Sequence, residues 1–335
     1  MLAFKIIYIN FEGLSIMIKV TDLAYGRITA PDLDKMEEFL LAFGMVRADR
    51  TKNALYMRGT DGDHHHLHVT ELGEPRHIGM AWWAKTEDDL KAISKAPGAS
   101  EIHEIDEPGG GKRVTLTDPD GRIIEVIHGM EVVEDLKVRD VIINTGKEKL
   151  NRTELQRISA NPGQPSHVKR SAHVVVKTKD LNKFNDWYQS TLGLASSDHI
   201  KAPDNPDNNL MTFNHIDAGS EYVDHHVLLG IQAENAEFNH LSFEVADFDD
   251  VNIGHNWLES KGYKLAWGVG RHVLGSQVFD YWRDPWGRIH EHWTDGDVVN
   301  NTHDGGRWDA DVGLNNQWGP AFPEDFVDDP HLHVL

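Results

Sequence analysis

The octapeptide Asp118-Pro-Asp-Gly-Arg-Ile-Ile-Glu125 returns as Asp284-Pro-Trp-Gly-Arg-Ile-His-Glu291, and seven positions separate Asp from Glu in both copies. A turn and the strand leaving it, repeated far apart in one chain, constrain the fold before any secondary-structure reading does. A second echo sets Arg76-His-Ile-Gly-Met-Ala-Trp-Trp-Ala84 against Asn239-His-Leu-Ser-Phe-Glu-Val-Ala246. Each opens on a histidine and runs into a helical pattern. The two halves of the chain are therefore related domains.

Each half repeats again within itself. Leu23–Thr29 reads as a strand, followed by a helix from Pro31 to about Phe43, with Pro early and Gly44 at its end. Short strands follow around Ala54–Met57 and Leu67–Glu71. His77–Ala84 opens a second unit, whose helix begins at Thr86-Glu-Asp-Asp89, a capping box with Asp in place of Glu. The second half follows suit: strand His173–Thr178, helix Leu181–Leu192, strands Leu210–Phe213 and His226–Gln232. Then come strand Leu241–Ala246, helix Phe248–Lys261, and strands near Lys264–Trp267, Gln277–Trp282 and Arg288–Trp293. The expected fold class is α+β: four βαβββ modules paired into two half-open barrel domains.

Domain limits follow from this pattern: an N-terminal structural domain over 18–130, a linker over 131–170, a C-terminal catalytic domain over 171–298, and a wrap or lid over 299–335. The linker reads as polar, with a short helix near Lys149–Arg157 and a close at Asn161-Pro-Gly-Gln-Pro165. Met17 is the expected natural start, with residues 1–16 an upstream extension. That segment is apolar but short and lacks an A-x-A cleavage site, so it does not read as a signal peptide.

A formal net charge of −21 disfavours nucleic acid and anionic membrane surfaces, since both call for basic patches. No run reaches the length of a membrane span, and a cytoplasmic location is the expectation. Cysteine is absent, which removes disulfides, thiolate nucleophiles and iron–sulfur clusters. Any transition metal must be held by histidine and carboxylate.

With 21 histidines in the chain, no single one means much. Position in the repeat does. His173 and His240 lie in the first strands of the two C-terminal modules, and Glu291 lies in the last strand of the second. First strands of paired modules lie side by side, so side chains of matching parity converge. Two histidines and one carboxylate make the facial triad of a non-haem Fe(II) site. The bland reading is two buried histidines and a surface glutamate, and equivalent strand positions weigh against it. Alternation puts His290 and His292 on the face opposite Glu291, as outward polar residues. In the first half His77 and Glu125 persist but Gly26 stands for His173, so that half reads as structural. The run His64-His-His-Leu-His68 reads as a strand entry with exposed imidazoles.

The segment Pro165-Ser-His-Val-Lys-Arg-Ser-Ala-His-Val-Val-Val176, together with these ligands, resembles the type I extradiol catechol dioxygenases of the vicinal oxygen chelate superfamily, the glyoxalase-like fold. The resemblance covers all four modules, with its specific motifs between 165 and 295. It implies that His173, His240 and Glu291 hold Fe(II), with Mn(II) the other candidate. It matches His225 to the family's proton-transfer histidine, leaving His226 outward. It matches His272 and Tyr281 to the pair that contacts substrate. Phe213 and His215 are pocket candidates by rough position. The segment Ala202–Ser220, with Pro203 and Pro206, is longer than the family's pattern where the ring pocket is walled.

The implied activity opens the ring of a catechol beside its hydroxyls with O₂, in aromatic compound degradation, within a homo-oligomer. Two other readings stand beside it. One keeps the metal but changes the reaction, to a glyoxalase-like isomerase or a 2-oxo-acid-dependent dioxygenase; neither calls for His225, His272 and Tyr281. The other is a metal-free small-molecule binding protein of the resistance type, which does not call for a full ligand set.

Overall fold

The computed structural model describes residues 17–153 and 163–326. The first module runs β1 (Val20–Ala30), α1 (Leu33–Phe43), β2 (Val46–Arg50), β3 (Ala54–Arg58) and β4 (His68–Leu72). The second runs β5 (Arg76–Ala84), α2 (Glu87–Ile93), β6 (His103–Glu104), β7 (Lys112–Thr117) and β8 (Ile123–His128). The third has β9 (Val168–Thr178), α3 (Leu181–Leu192), β10 (Leu194–Lys201), β11 (Asn209–Ile216), a two-residue β12 (Val223–Asp224) and β13 (Leu228–Gln232). The fourth has β14 (Glu237–Val245), α4 (Phe248–Ser260), β15 (Lys264–His272), β16 (Val278–Arg283) and β17 (Ile289–Thr294). The tail adds β18 (Val298–Val299), β19 (Gly306–Trp308), α5 (Ala310–Gly313) and β20 (Asn316–Trp318).

Strands pair in the order β2-β3-β4-β1-β5-β8-β7-β6 in the first half. The second half repeats that order as β10-β11-β13-β9-β14-β17-β16-β15, with β19 and β20 added at its two edges. The first strands of paired modules are central neighbours in both sheets, β1 against β5 and β9 against β14. This is the α+β fold of four βαβββ modules in two half-open barrels. Helix starts follow side-chain capping: Asp32 accepts from the amides of Asp34 and Lys35, and Thr86 with Asp89 forms the full capping box. Strands β2 and β10 escape the sequence pattern because V-R-A-D-R and L-A-S-S-D-H-I-K lack an apolar alternation. Residues 149–153 carry no helix, and residues 154–162, like 1–16 and 327–335, lie outside the described residues.

The repeated octapeptide builds matching turns. Gly121 and Gly287 take φ of 94° and 89°, a region open to glycine at no steric cost. Asp118 Oδ1 accepts from the amides of Asp120 and Arg122, and Asp284 Oδ1 from those of Trp286 and Arg288. Each aspartate also holds the arginine of its own turn, Arg122 at 2.8 Å and Arg288 at 2.7 Å. Each arginine then crosses to the other half: Arg122 donates to the carbonyl oxygen of Lys177 on β9, and Arg288 to that of Thr29 on β1 at 2.6 Å. Thr29 and Lys177 occupy the same position of equal 11-residue strands, so the two contacts are one contact repeated by internal symmetry.

One continuous apolar core, with Phe39, Phe43, Trp82, Tyr188, Phe243 and Trp282, spans both halves. It corrects two expectations. His290 and His292 face away from Glu291 but are fully buried: His290 lies among Phe39, Phe43 and Phe243, and His292 stacks on Phe43. The face behind the site meets α1 of the other half instead of water. His65, His66 and His68 are also buried, with His68 Nε2 3.3 Å from His290 Nε2. Among the described residues no helix is long and apolar enough to cross a membrane.

Candidate metal centre and active site

His173 on β9, His240 on β14 and Glu291 on β17 come together at the centre of the second sheet. His173 Nε2 lies 2.8 Å and His240 Nε2 3.4 Å from Glu291 Oε2, and the two imidazole nitrogens lie 3.4 Å apart. All three side chains are buried. Neither oxygen of Glu291 makes a well-formed hydrogen bond. A buried carboxylate without hydrogen bonds demands a cation, and two imidazole nitrogens with one carboxylate suit a divalent transition ion. The donor set therefore fits a metal. Asn239 Oδ1, 2.6 Å from His240 Nδ1, fixes the hydrogen there and turns the bare Nε2 to the centre. Burial pushes the Glu291 carboxyl up, but His173 and His240 outweigh it and hold it well below the usual range. Burial lowers His240.

Beside the triad, with His240 in its wall, lies a cavity lined by Val175, Met211, Phe213, Leu229, Ile231, Trp267, Leu274, Leu314, Phe322 and Phe326, with His226, Asn239, His240, His272, Gln277 and Tyr281 as its polar members. Among the described residues, no lysine, arginine, aspartate or glutamate lines it. Trp267 stacks on Tyr281 with centroids 5.7 Å apart, and Phe326 of the tail closes on Tyr281 at 5.0 Å. His272 Nε2 and Tyr281 Oη lie 2.8 Å apart. Burial pushes His272 down to about 4 and Tyr281 well above its ordinary value, Glu291 adding to the latter. At neutral pH the pair is an uncharged imidazole beside a protonated phenol.

The structure reverses the expected order of the adjacent histidines. His226, not His225, lines the cavity, its ring 4.3 Å from that of His173. His225 turns the other way, with Nε2 2.8 Å from Asp198 Oδ2. Both residues precede β13, where strand alternation has not begun, so parity could not be carried back to them. The repeat carries the same pair without telling which member faces inward. β4 and β13 are five-residue strands, and aligning them matches His65-His66 with His225-His226. Phe213 lines the cavity, whereas His215 does not: its Nδ1 is 2.7 Å from Ser197 Oγ.

The first half is also re-registered. Aligning the equal first strands puts Tyr25, not Gly26, at the place of His173, and Gly79, not His77, at that of His240. Glu125 remains, bonded by Tyr25 Oη at 2.7 Å and by Arg27 and Arg113 at 3.2 and 2.7 Å. Arg27 also meets Glu71 and Glu107 at 2.6 and 2.9 Å. A guanidinium thus stands where the other half gathers its triad. His77 stacks on Phe238 between the halves.

Residues 170–289 match the family described as Glyoxalase/Bleomycin resistance protein/Dioxygenase superfamily. The chain is 30% identical over 315 residues to metapyrocatechase 2 of Cupriavidus necator, covering 92% of each protein. The chain belongs to the extradiol dioxygenase family. Solved structures share the fold of this extradiol dioxygenase. Homoprotocatechuate 2,3-dioxygenase from Arthrobacter globiformis superposes with a TM-score of 0.76 at 21% identity, over 97% of this chain and 96% of that one. An Mn(II)-bound glyoxalase from Novosphingobium aromaticivorans superposes with 0.74 at 22% identity, over 94% and 96%.

Proposed function

We propose that this chain is an Fe(II)-dependent extradiol dioxygenase that opens an uncharged catechol beside its hydroxyls with O₂, in the breakdown of aromatic compounds. The observation that carries the reading is the buried His173–His240–Glu291 cluster, whose His240 lines an apolar cavity together with His226, His272 and Tyr281. The family of the chain supports the reaction class, and the absence of thiolate donors supports iron or manganese over softer chemistry.

In this reading His173, His240 and Glu291 would hold the ion, which would supply Lewis-acid polarisation of the diol. His226, buried and kept neutral by burial and by the neighbouring imidazoles, takes the proton of a substrate hydroxyl. His272 and Tyr281 supply a neutral hydrogen-bonding pair for substrate oxygens as charge develops. Phe213, Leu229 and Phe326 clamp the ring and keep water away. His225, first matched to the proton-transfer role, has no access to the cavity.

The test is to load the protein with Fe(II) without oxygen and mix it with catechol, 3-methylcatechol or 2,3-dihydroxybiphenyl in air. A yellow ring-opened product with matching O₂ uptake is expected. Colourless mixtures across that set, with the metal bound, would shift the assignment to an isomerase of the superfamily. Activity with Mn(II) alone would reassign the metal.

A further inference from the structure

The cavity histidine His226 is one end of a buried run of hydrogen bonds. Its Nδ1 lies 3.2 Å from Nδ1 of His225, whose Nε2 lies 2.8 Å from Oδ2 of Asp198. All three residues are buried. Asp198 is held at its other oxygen, where Trp308 Nε1 of β19 donates to Oδ1 at 2.8 Å. The His225 backbone is pinned too, since Ser197 Oγ donates to its carbonyl oxygen while accepting from His215 Nδ1. A longer contact to His226 Nδ1, at 3.4 Å, comes from the Gln277 amide, which can turn either oxygen or nitrogen to it.

Donor and acceptor rules dictate where the hydrogens sit. A carboxylate only accepts, so His225 Nε2 carries a hydrogen. A neutral His225 then has a bare Nδ1, which pairs with His226 Nδ1 only if that nitrogen is the donor. A neutral His226 is left with a bare Nε2. We propose, on the dioxygenase reading above, that Asp198 and His225 are positioning residues: they lock the tautomer and ring orientation of His226 so that an unprotonated nitrogen is available to the substrate hydroxyl.

The first half is an internal control. His65 and His66 repeat the Nδ1 to Nδ1 contact at 3.2 Å. The residue aligned with Asp198, counting from the glycines that end α1 and α3, is Asp49. It is exposed and accepts from the Arg50 amide. The paired imidazoles thus belong to the shared module, while the buried carboxylate accompanies the half with the triad. Asp198, His225 and His303 also lie close enough to hold an ion. Against that use, Trp308 occupies Asp198 Oδ1 and His303 Nε2 lies 3.1 Å from the Ser197 carbonyl oxygen.

Two measurements test the proposal. Histidine ¹⁵N NMR of the Zn(II)-loaded protein, with His226 assigned by the signals lost in H226A, reads the tautomer without turnover. Hydrogen on Nδ1 in the wild type, and its redistribution toward Nε2 in D198A, is expected. Hydrogen on Nε2 in the wild type, or an unchanged tautomer in D198A, overturns the proposal. Kinetics on the iron-loaded enzyme should show kcat lowered about 100-fold in D198A and H225Q, with KM and metal content unchanged and partial rescue by D198E. In an H226A background D198A should lower kcat no further. Full additivity there, an effect on KM alone, or a second equivalent of metal lost in D198A overturns it. Should the wild type open no catechol, the dioxygenase reading fails, and the NMR result still decides the tautomer.

Discussion

Arg288 Nη1 lies 2.6 Å from the carbonyl oxygen of Thr29, joining the turn that leads into Glu291 to the first strand of the opposite half. With its twin from Arg122 to Lys177, this contact explains why the octapeptide is kept in both halves although only one copy ends at the triad. Asp-Pro-x-Gly-Arg is a clasp between domains first, and a route into the site second.

Cutting the clasp should therefore cost stability. Arg288→Ala leaves the buried Asp284 carboxylate without its cation, which is expected to cost about 3–5 kcal/mol. Urea denaturation checks this. A loss below about 1 kcal/mol would mean that the turn holds without its arginine, and the double variant D284N/R288M should recover part of the loss.

Metal retention should follow the support of the triad as well as the triad itself. Glu291→Gln should abolish tight binding of the ion, and Asn239→Ala, which releases His240 Nδ1, should weaken affinity by about 10–100-fold. Competition against a chelator, read by metal analysis, measures both. Equal affinity in N239A would show that His240 is oriented by packing alone.

The uncharged cavity should discriminate against anionic catechols. Desolvating a carboxylate with no cation to receive it costs several kcal/mol. The ratio kcat/KM for 3,4-dihydroxyphenylacetate should thus be at least about 100-fold below that for 3-methylcatechol. Comparable values would place a cationic partner at the cavity that the described residues do not provide.

Acid should destabilise the fold between the ordinary histidine pKa and about pH 3, where His77 itself takes up its proton. Burial pushes His77 down to about 3 and His68 well below its ordinary value. Above pH 6.5 both are neutral folded and unfolded, with no penalty; below it only the unfolded chain binds the proton, so stability falls by up to about 1.4 kcal/mol per pH unit for each. Neither His77 nitrogen makes a well-formed hydrogen bond. His77→Phe should therefore raise the melting temperature at pH 5 more than at pH 8. An equal shift at both pH values would assign the gain to packing.

Much of this was legible in the chain. Periodicity and turn chemistry carry the modules, and repeat position brings out His173, His240 and Glu291, because strand parity holds inside regular strands. It does not hold at His225 and His226, which precede the ladder, and there the residue facing the cavity was missed by one. Nor can alternation tell water from a neighbouring domain: His290 and His292 sit on the face opposite Glu291, yet α1 of the other half covers them. The echo of His77 with His240 misplaced the first-half counterparts, which strands of equal length set right as Tyr25 and Gly79.

The Arg27 cluster gives the first half a counter-ion that no chelator can extract. Its charge arrives with the polypeptide itself, so this barrel can be electrostatically complete at synthesis, before any metal is captured. The core continuous with it hands the second half a finished wall to fold against. At the triad of the second half Glu291 lies buried without a well-formed hydrogen bond, so emptying that site should burden the second barrel and leave the first untouched.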